Sequence, residues 1–224
     1  RLMFSNCNVL TKLDLSNFDT SNVENFGAMF QLCNALTDLN ITSFDTTKAT
    51  DISYLFNQCN SITSLDLSHF DTTNVNNMKA MFQRCQELTN LNISSFNTSK
   101  VTDMQYMFNR CEKLVTLDVS KFNTSKVTNM RAMFQNCQAL EKLDVSNFNT
   151  AKVGDMYDMF NRCVLLTEID VSKWNTSNVV YFDEMFLHCE ALENIDVSGF
   201  DTSNAIGLHS MFNSCLKLKY ADVS

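Results

Sequence analysis

The chain has 224 residues, a formal net charge of −8 and an isoelectric point of about 4.8. An acidic chain is a poor partner for nucleic acid, because binding to a phosphate backbone depends on clustered lysine and arginine. Here the basic residues are scattered along the sequence, for example at Lys48, Lys100 and Lys126. No apolar run approaches the roughly 20 residues that a membrane-spanning helix needs.

One 26-residue unit recurs from end to end, and the cysteines show its period most plainly. Each lies 26 residues after the previous one, at Cys7, Cys33, Cys59, Cys85, Cys111, Cys137, Cys163, Cys189 and Cys215. A phenylalanine three residues before each cysteine keeps the same step, from Phe4 to Phe212. A fixed period of this size is typical of a solenoid, whose repeats bury their apolar sides by stacking.

No proline and no Gly/Ser-rich linker interrupts this period. We therefore predict a single solenoid domain over residues 1–224, with about eight and a half repeats. Solenoids normally carry polar caps at their ends. Neither Arg1 nor Ser224 lies in such a cap, and residues 1–224 include no recognisable signal peptide. We expect these residues to be part of a longer protein.

We predict one short strand in each repeat. In the fifth repeat, residues 117–120 (Leu-Asp-Val-Ser) alternate apolar and polar residues, the pattern of a strand with one buried face. Residues 121–126 follow and contain Asn, Thr and Ser, which favour turns because their side chains bond nearby backbone groups. Stacked repeats place these strands side by side in one parallel sheet.

A short helix is the favoured interpretation of the segment after the turn. Val127, Met130, Met133, Phe134 and Cys137 recur at steps of three and four residues, which is the spacing of one helix face. The helix would have about two turns and would need packing to be stable. The alternative is a β-solenoid without a helix. We predict an α/β, right-handed solenoid with one short parallel strand and one short helix per 26-residue repeat.

These motifs resemble those of a known family. Residues 10–15 match the leucine-rich-repeat core L-x-x-L-x-L. Residues 82–85 (Phe-Gln-Arg-Cys) and 18–23 (Phe-Asp-Thr-Ser-Asn-Val) narrow the resemblance to one group of leucine-rich-repeat proteins. Together they resemble the BspA-like leucine-rich-repeat surface proteins. The resemblance implies an open horseshoe or rod, with strands on one face and helices on the other. It also implies a cell-surface or secreted protein with a role in adhesion or binding, and the predicted localisation rests on it alone.

The cysteine ladder is predicted to be a column of buried, reduced thiols. Zinc sites use short pairs such as C-x-x-C, which are absent from this sequence. A disulfide needs Cβ atoms roughly 3.5–4.5 Å apart, closer than we expect for side chains in stacked turns. We therefore expect the thiols to act as small hydrophobic groups, which leaves metal ligation and disulfide bonds as the less favoured alternatives.

Two further rows are assigned to structure. An aromatic row is predicted to form a spine in the core, and it consists of Phe18, Phe44, Phe70, Phe96, Phe122, Phe148, Trp174 and Phe200. A threonine row is predicted to satisfy backbone groups where each strand ends, and it consists of Thr20, Thr46, Thr72, Thr98, Thr124, Thr150, Thr176 and Thr202.

The position between the two buried residues of each strand should point to solvent, and it carries an acidic row. Its members are Asp14, Asn40, Asp66, Asn92, Asp118, Asp144, Asp170, Asp196 and Asp222. Carboxylates about 4.8 Å apart should repel one another. Either Ca²⁺ or neighbouring hydroxyl and backbone donors would relieve that repulsion. We favour a solvated row without metal and expect no cofactor.

The candidate binding face combines this acidic row with the strand position two residues before it. We predict that it consists of Asp14, Asp66, Asp118, Asp144, Asp170 and Asp196, together with Lys12, Lys142 and Glu168.

No set of residues suggests an enzyme. His69, His188 and His209 occupy different positions in their repeats, and there is no glycine-rich phosphate loop. We predict a non-enzymatic binding or adhesion module that engages a protein or glycan partner through the polar strand face. The alternative is a structural protein whose uncapped ends self-associate, so that copies stack end to end into a filament or surface coat.

Overall fold

The computed structural model describes residues 1–223 as a stack of 26-residue coils, which confirms the predicted leucine-rich-repeat-like fold. Equivalent positions of successive coils lie side by side, as in the register Lys12–Asp38, Leu13–Leu39 and Asp14–Asn40. Six three-residue strands are present: β1 (Lys12–Asp14), β2 (Asp38–Asn40), β3 (Ser64–Asp66), β4 (Asn90–Asn92), β5 (Asn194–Asp196) and β6 (Tyr220–Asp222).

The strands form three two-stranded parallel sheets, β1–β2, β3–β4 and β5–β6, rather than the one continuous sheet that was predicted. Within each pair, the amide after the first strand donates to the last residue of the second: Leu15 to Asn40, Leu67 to Asn92 and Val197 to Asp222, each at 2.9 Å. Between the pairs, an isolated parallel bridge joins Lys142 and Glu168. Because each strand has only three residues, loss of one hydrogen bond is enough to interrupt the sheet.

The described residues contain no helix, so the prediction of one helix per repeat is wrong. The segment after the polar turn consists of successive β-turns. Coils are numbered from residue 1 in steps of 26 residues. At the start of the sixth coil, the amide of Met133 donates to the carbonyl of Met130 (3.2 Å), and that of Cys137 to Phe134 (3.1 Å). The third residue of each turn has a positive φ, 51° at Ala132 and 60° at Asn136, as a type II turn requires.

Hydrogen bonding between coils explains why turns replace the helix. Alternate amides of this segment donate to carbonyl groups of the next coil: Ala132 to Tyr157 (2.8 Å), Phe134 to Met159 (3.0 Å) and Asn136 to Asn161 (2.7 Å). A helix would direct these amides into its own coil and leave the carbonyls of the next coil without donors. Four-residue turns also repeat at steps of three and four residues, so the apolar spacing fits both structures.

The core is built from continuous rows of identical or similar side chains. The rings from Phe4 to Phe212 stack with centroids 5.4–5.9 Å apart and planes within 15° of parallel. The aromatic row from Phe44 to Trp174 is buried beside them, whereas Phe18 is 38% exposed. The prediction of a core aromatic spine is thus confirmed for the inner coils.

We expect that replacing Phe122 with alanine lowers the free energy of unfolding by roughly 3–5 kcal/mol, because the ring is only 4% exposed and its removal leaves a cavity. Urea unfolding followed by circular dichroism measures this loss. Val115→Ala is the control: Val115 is 48% exposed, and its truncation should change stability by about 0.5 kcal/mol or less. Equal midpoints for Phe122→Ala and the parent would contradict the assignment of the ring to the core.

Candidate functional site

All nine residues of the predicted binding face are exposed, and coil stacking brings them to one side of the solenoid. The acidic row lies along one edge, and the row that contains Lys12, Lys142 and Glu168 lies along the other. Between them runs an aliphatic floor of the middle strand residues, which are nearly buried, such as Leu143 (5% exposed) and Ile169 (8% exposed). We call this surface the polar strand face.

Shallow depressions follow the polar strand face. One near the C-terminal end has a volume of about 330 Å³ and is lined by Glu168, Ile169, Asp170, Asn194, Asp196 and Tyr220, among others. Sequence reasoning did not include Tyr220 in this face. The period could have identified it, because Tyr220 has the same position in its coil as Lys12 and Lys142 have in theirs.

Each aspartate of the acidic row from Asp14 to Asp196 is held by the serine two residues after it. In Asp144, Oδ1 accepts hydrogen bonds from the Ser146 hydroxyl (2.6 Å) and the Ser146 amide (3.0 Å). These two bonds, the hydroxyl first, hold the pKa of Asp144 below its usual value, although the charges of Asp170 and Asp118 act in the opposite direction. Local donors therefore relieve the repulsion along the row.

The same serine hydroxyl contact recurs at Asp118, Asp170 and Asp196. The pKa of Asp118 and that of Asp170 are likewise lowered, mainly by the serine hydroxyl. Within residues 1–223, no group of three or more His, Cys, Asp or Glu side chains is arranged to hold a metal ion.

The basic residues of the polar strand face are already paired. Lys12 lies 3.1 Å from Asp38 and Lys142 lies 3.0 Å from Glu168, each pair joining neighbouring coils. All four side chains are more than 60% exposed, so each pair contributes about 0–1 kcal/mol to stability. Because Lys142 and Glu168 offset each other, the charge offered in coils five to eight comes from Asp118, Asp144, Asp170 and Asp196.

From Thr20 to Thr176 the threonine row has the structural role that was predicted. The Thr124 hydroxyl accepts a hydrogen bond from the amide of Asn149 (2.7 Å) and donates one to its carbonyl (3.0 Å). Thr124 is 1% exposed. The hydroxyl therefore satisfies both backbone groups of one residue in the next coil and is not available to a ligand.

The cysteine row is buried as predicted from Cys33 to Cys189, with Cys7 and Cys215 partly exposed, and all nine thiols are free. The thiols also make a contact that was not predicted, because each thiol after Cys7 donates to a phenylalanine carbonyl of the preceding coil. The Cys137 sulfur, for example, lies 3.2 Å from the Phe108 oxygen. Burial raises the pKa of Cys85 and that of Cys137 to about 12, so these thiols stay protonated and unreactive.

We expect iodoacetamide at pH 8 to modify Cys7 and Cys215 well before the seven buried cysteines of the native protein, since only those two are partly exposed. Intact-mass measurement over time follows the reaction. In denaturant without reductant, all nine thiols should be modified. A smaller number would show that disulfide bonds form.

A partly buried amide row lies beside the phenylalanine stack and was missed in the sequence. Glutamine and asparagine alternate there, and each side chain donates to the next at 2.6–3.2 Å: Gln31, Asn57, Gln83, Asn109 and Gln135. Asn57 and Asn109 are 2% and 3% exposed. The row satisfies its own polar atoms inside the core, which a buried amide requires.

A second alternating row carries asparagine and aspartate on successive coils, linked by parallel bridges: Asn25, Asp51, Asn77, Asp103, Asn129 and Asp155. Each side chain accepts a bond from the amide two residues later, as Asp51 does from Ser53 at 2.8 Å. Alternation keeps the carboxylates two coils apart. The signal in the sequence is a two-coil period superimposed on the 26-residue repeat.

The amide row ends at a buried carboxyl group. Gln135 donates to Oδ2 of Asp158 (2.8 Å), and Asn161 donates to its Oδ1 and to Glu184. Asp158 is 9% exposed. Burial, reinforced by the charge of Glu184, raises the pKa of Asp158 to about 6, although the Asn161 hydrogen bond and Arg131 act to lower it.

A folded-state pKa above the ordinary value of 3.8 means that the folded protein favours the neutral carboxyl group. The stabilising effect of protonation is therefore complete below about pH 4 and is lost as pH rises through about 6. We expect Asp158→Asn to stabilise the protein at pH 7.5 by about 1–2 kcal/mol, after allowance for solvent screening. The gain should shrink towards pH 4.5.

Urea unfolding at both pH values measures this difference. Asp170→Asn is the matched control, because the pKa of Asp170 is lowered rather than raised. Removal of the Asp170 charge should not stabilise the protein at pH 7.5. A pH-independent effect of Asp158→Asn would contradict the titration of this group.

Comparison with known proteins gives one family and several related folds. The model of a family described as "Mycoplasma protein of unknown function, DUF285" matches residues 1–116 and 110–223. The predicted resemblance to BspA-like leucine-rich-repeat surface proteins is confirmed. Comparison with curated proteins gives no significant match. Among the described residues, there is no helix with the length and apolar character of a membrane span.

Solved structures similar to this chain include a leucine-rich repeat protein from Bacteroides ovatus, with 15% identity and a TM-score of 0.46 over 99% of this chain and 58% of that one. A leucine-rich cell surface protein from Faecalibacterium prausnitzii has 18% identity and a TM-score of 0.35, over 98% of this chain and 74% of that one. The InlJ functional domain from Listeria monocytogenes, which includes a cysteine ladder, has 14% identity and a TM-score of 0.25, over 96% and 56%. The chain thus spans less than two thirds of the Bacteroides protein.

Proposed function

We propose that this chain, which belongs to the DUF285 family, is a non-enzymatic protein-binding repeat module whose partner lies along the polar strand face. The observation that carries the proposal is the row of exposed aspartates in coils five to eight, each fixed by its serine at one-coil intervals. A cell-surface or secreted location and a role in adhesion belong to the same proposal, and they are supported by the repeat motif.

The aspartates are held in place before any partner binds. In Asp144 and Asp170, one carboxylate oxygen is used by serine, and the other makes no hydrogen bond to the described residues. A carboxylate whose orientation is already fixed loses little conformational entropy when it accepts a bond from a partner. The rigid, stacked core below it supports the same geometry in each coil.

An extended, basic protein segment fits this surface best. The depression near Asp170 and Asp196 has an aliphatic floor that includes Ile169, and Tyr220, 60% exposed, lies at its end. A lysine or arginine side chain could rest its apolar stem on this floor. Its charged head would then meet carboxylates and an aromatic ring, which attract cations.

The test uses a fluorescent extended peptide in which lysine alternates with threonine, and a neutral analogue with glutamine in place of lysine. Replacing Asp118, Asp144 and Asp170 together with asparagine should weaken binding of the lysine peptide at least about tenfold, and should reduce its sensitivity to salt. Asparagine can still accept these bonds, as Asn40 does from Thr42 and Asn92 does from Ser94, so the fold should survive.

The matched control replaces Asp45, Asp71 and Asp201 with asparagine, which changes the net charge equally at another corner of the coil. Fluorescence anisotropy measures both variants against the parent. Equal weakening in both would show that only net charge matters, and unchanged binding in the first variant would move the site away from the polar strand face.

A second candidate function is end-to-end assembly of copies. Light scattering on the same peptide-binding samples distinguishes the two candidates, since assembly would raise the mass with protein concentration whether or not peptide is present.

A further inference from the structure

A straight row of lysines runs along the corner between the aromatic row and the alternating asparagine–aspartate row. Lys100, Lys126 and Lys152 hold the same position in coils four to six, and all three are exposed. Each is the third residue of a β-turn closed by a 2.9 Å hydrogen bond from the next residue to a buried threonine carbonyl. We call these three residues the lysine row. The basic residues that are scattered in the sequence are thus partly aligned in the structure.

The positive charge of the lysine row is not offset by carboxylates in the neighbouring row. Three residues before each of its lysines, the turn is capped by Asn97, Asn123 or Asn149, whereas Asp19, Asp45, Asp71 and Asp201 occupy that position in four other coils. Lys48, at the same position in coil two, is offset by aspartates, since its charge helps to lower the pKa of Asp19 and that of Asp45.

No ion pair within residues 1–223 includes a member of the lysine row. Lys100 donates to the neutral side chain of Asn74 (2.8 Å), which leaves its charge in place. Three like charges follow one another at a coil spacing of about 4.8 Å, where they repel one another. An anionic partner would remove that repulsion on binding.

A row of neutral donors runs beside these charges, three residues earlier in each coil. The side-chain oxygens accept a hydrogen bond from a backbone amide of the same turn, at 3.0–3.1 Å, in Asn97, Asn123 and Asn149. Their Nδ2 groups make no hydrogen bond to the described residues, and all three side chains are exposed. Each of these coils therefore carries an ammonium group and, three residues earlier, an amide donor that is free to bind a neutral oxygen atom.

We propose that the lysine row is a second binding surface, separate from the polar strand face, and that it takes a linear sulfated polysaccharide. Sulfate groups would meet the lysines, and the hydroxyl and ring oxygens of the sugars would accept from the asparagine amides. Lysine acts as a point charge and lacks the fixed donor fork of arginine, so charge at regular intervals is the feature that it recognises. A polyphosphate offers no neutral oxygens of this kind.

The width of the surface argues against duplex DNA. The row is one residue wide, and the rest of the chain is acidic, with a formal net charge of −8. A duplex, whose major groove alone is about 12 Å wide, would bring further phosphates towards the aspartates of neighbouring coils. A single polysaccharide chain can follow the row without meeting them.

The probe is a fluorescent heparin octasaccharide, bound to the full chain and measured by fluorescence anisotropy at several salt concentrations. Replacing Lys100, Lys126 and Lys152 together with glutamine should weaken binding at least about tenfold. It should also lower the slope of log K against log salt by about 2, because three ionic contacts are lost. The desulfated octasaccharide should not bind the parent.

The matched control replaces Lys12, Lys113 and Lys142 with glutamine, which gives the same net charge but removes lysines that already face carboxylates. It should bind heparin within about twofold of the parent. The Asp118, Asp144 and Asp170 triple variant should keep heparin binding, which separates this inference from the proposed function. Circular dichroism melting checks that each variant is folded.

Three results would overturn the inference: unchanged heparin binding in the lysine-row variant, an equal loss in the control variant, or binding of polyphosphate or duplex DNA as tight as that of heparin. The first would remove the site from this corner. The second would show that heparin binding depends only on the net charge of the chain. The third would assign it to another kind of polyanion.

Discussion

Hydrogen bonds between successive coils are the constraint on which the rest of this structure depends. They fix the register at 26 residues, so the nearest neighbour of most side chains is the same position of the next coil. A residue type is therefore suitable only if it can stack on a copy of itself or on a complementary partner. Phenylalanine stacks its rings, threonine joins two backbone groups, and glutamine with asparagine forms a continuous amide chain. Where a carboxylate recurs, either a serine or threonine two residues later holds it or an asparagine separates it from the next.

The same constraint organises the surface into straight rows with separate electrostatic characters. The polar strand face is acidic in its later coils, and the lysine row carries three positive charges although the whole chain is negative. Net charge alone would hide this contrast. Partners that suit such rows are long and thin, because a compact ligand would use only a few equivalent positions. Both proposed binding surfaces follow from that geometry, and they differ in the sign of their charge.

Much of this arrangement could be predicted from the sequence, because a strict period assigns every residue to a row. The exposed strand position, the burial of the inner cysteines and the role of threonine all follow from alternation and spacing. The turn segment could not be predicted in the same way, since four-residue turns and a helix share the steps of three and four residues. No glycine marks the positive φ angles, which fall on residues such as Ala132 and Asn136. The candidate face could be placed by period alone, but the serine contacts that orient its aspartates, the alignment of the lysines and the interruption at Asp158 depend on side-chain geometry between coils.

The alternation of asparagine and aspartate from Asn25 to Asp155 limits how the length of such a protein can change without loss of complementarity. Deletion of the coil that contains Asn77 would bring Asp51 and Asp103 together as direct neighbours. Deletion of two coils, those of Asn77 and Asp103, would place Asp51 beside Asn129 and preserve the pattern. The amide row follows the same rule, since glutamine and asparagine would otherwise meet their own kind. A gene that gains or loses repeats in this part of the protein would therefore keep its rows matched when it does so in even numbers.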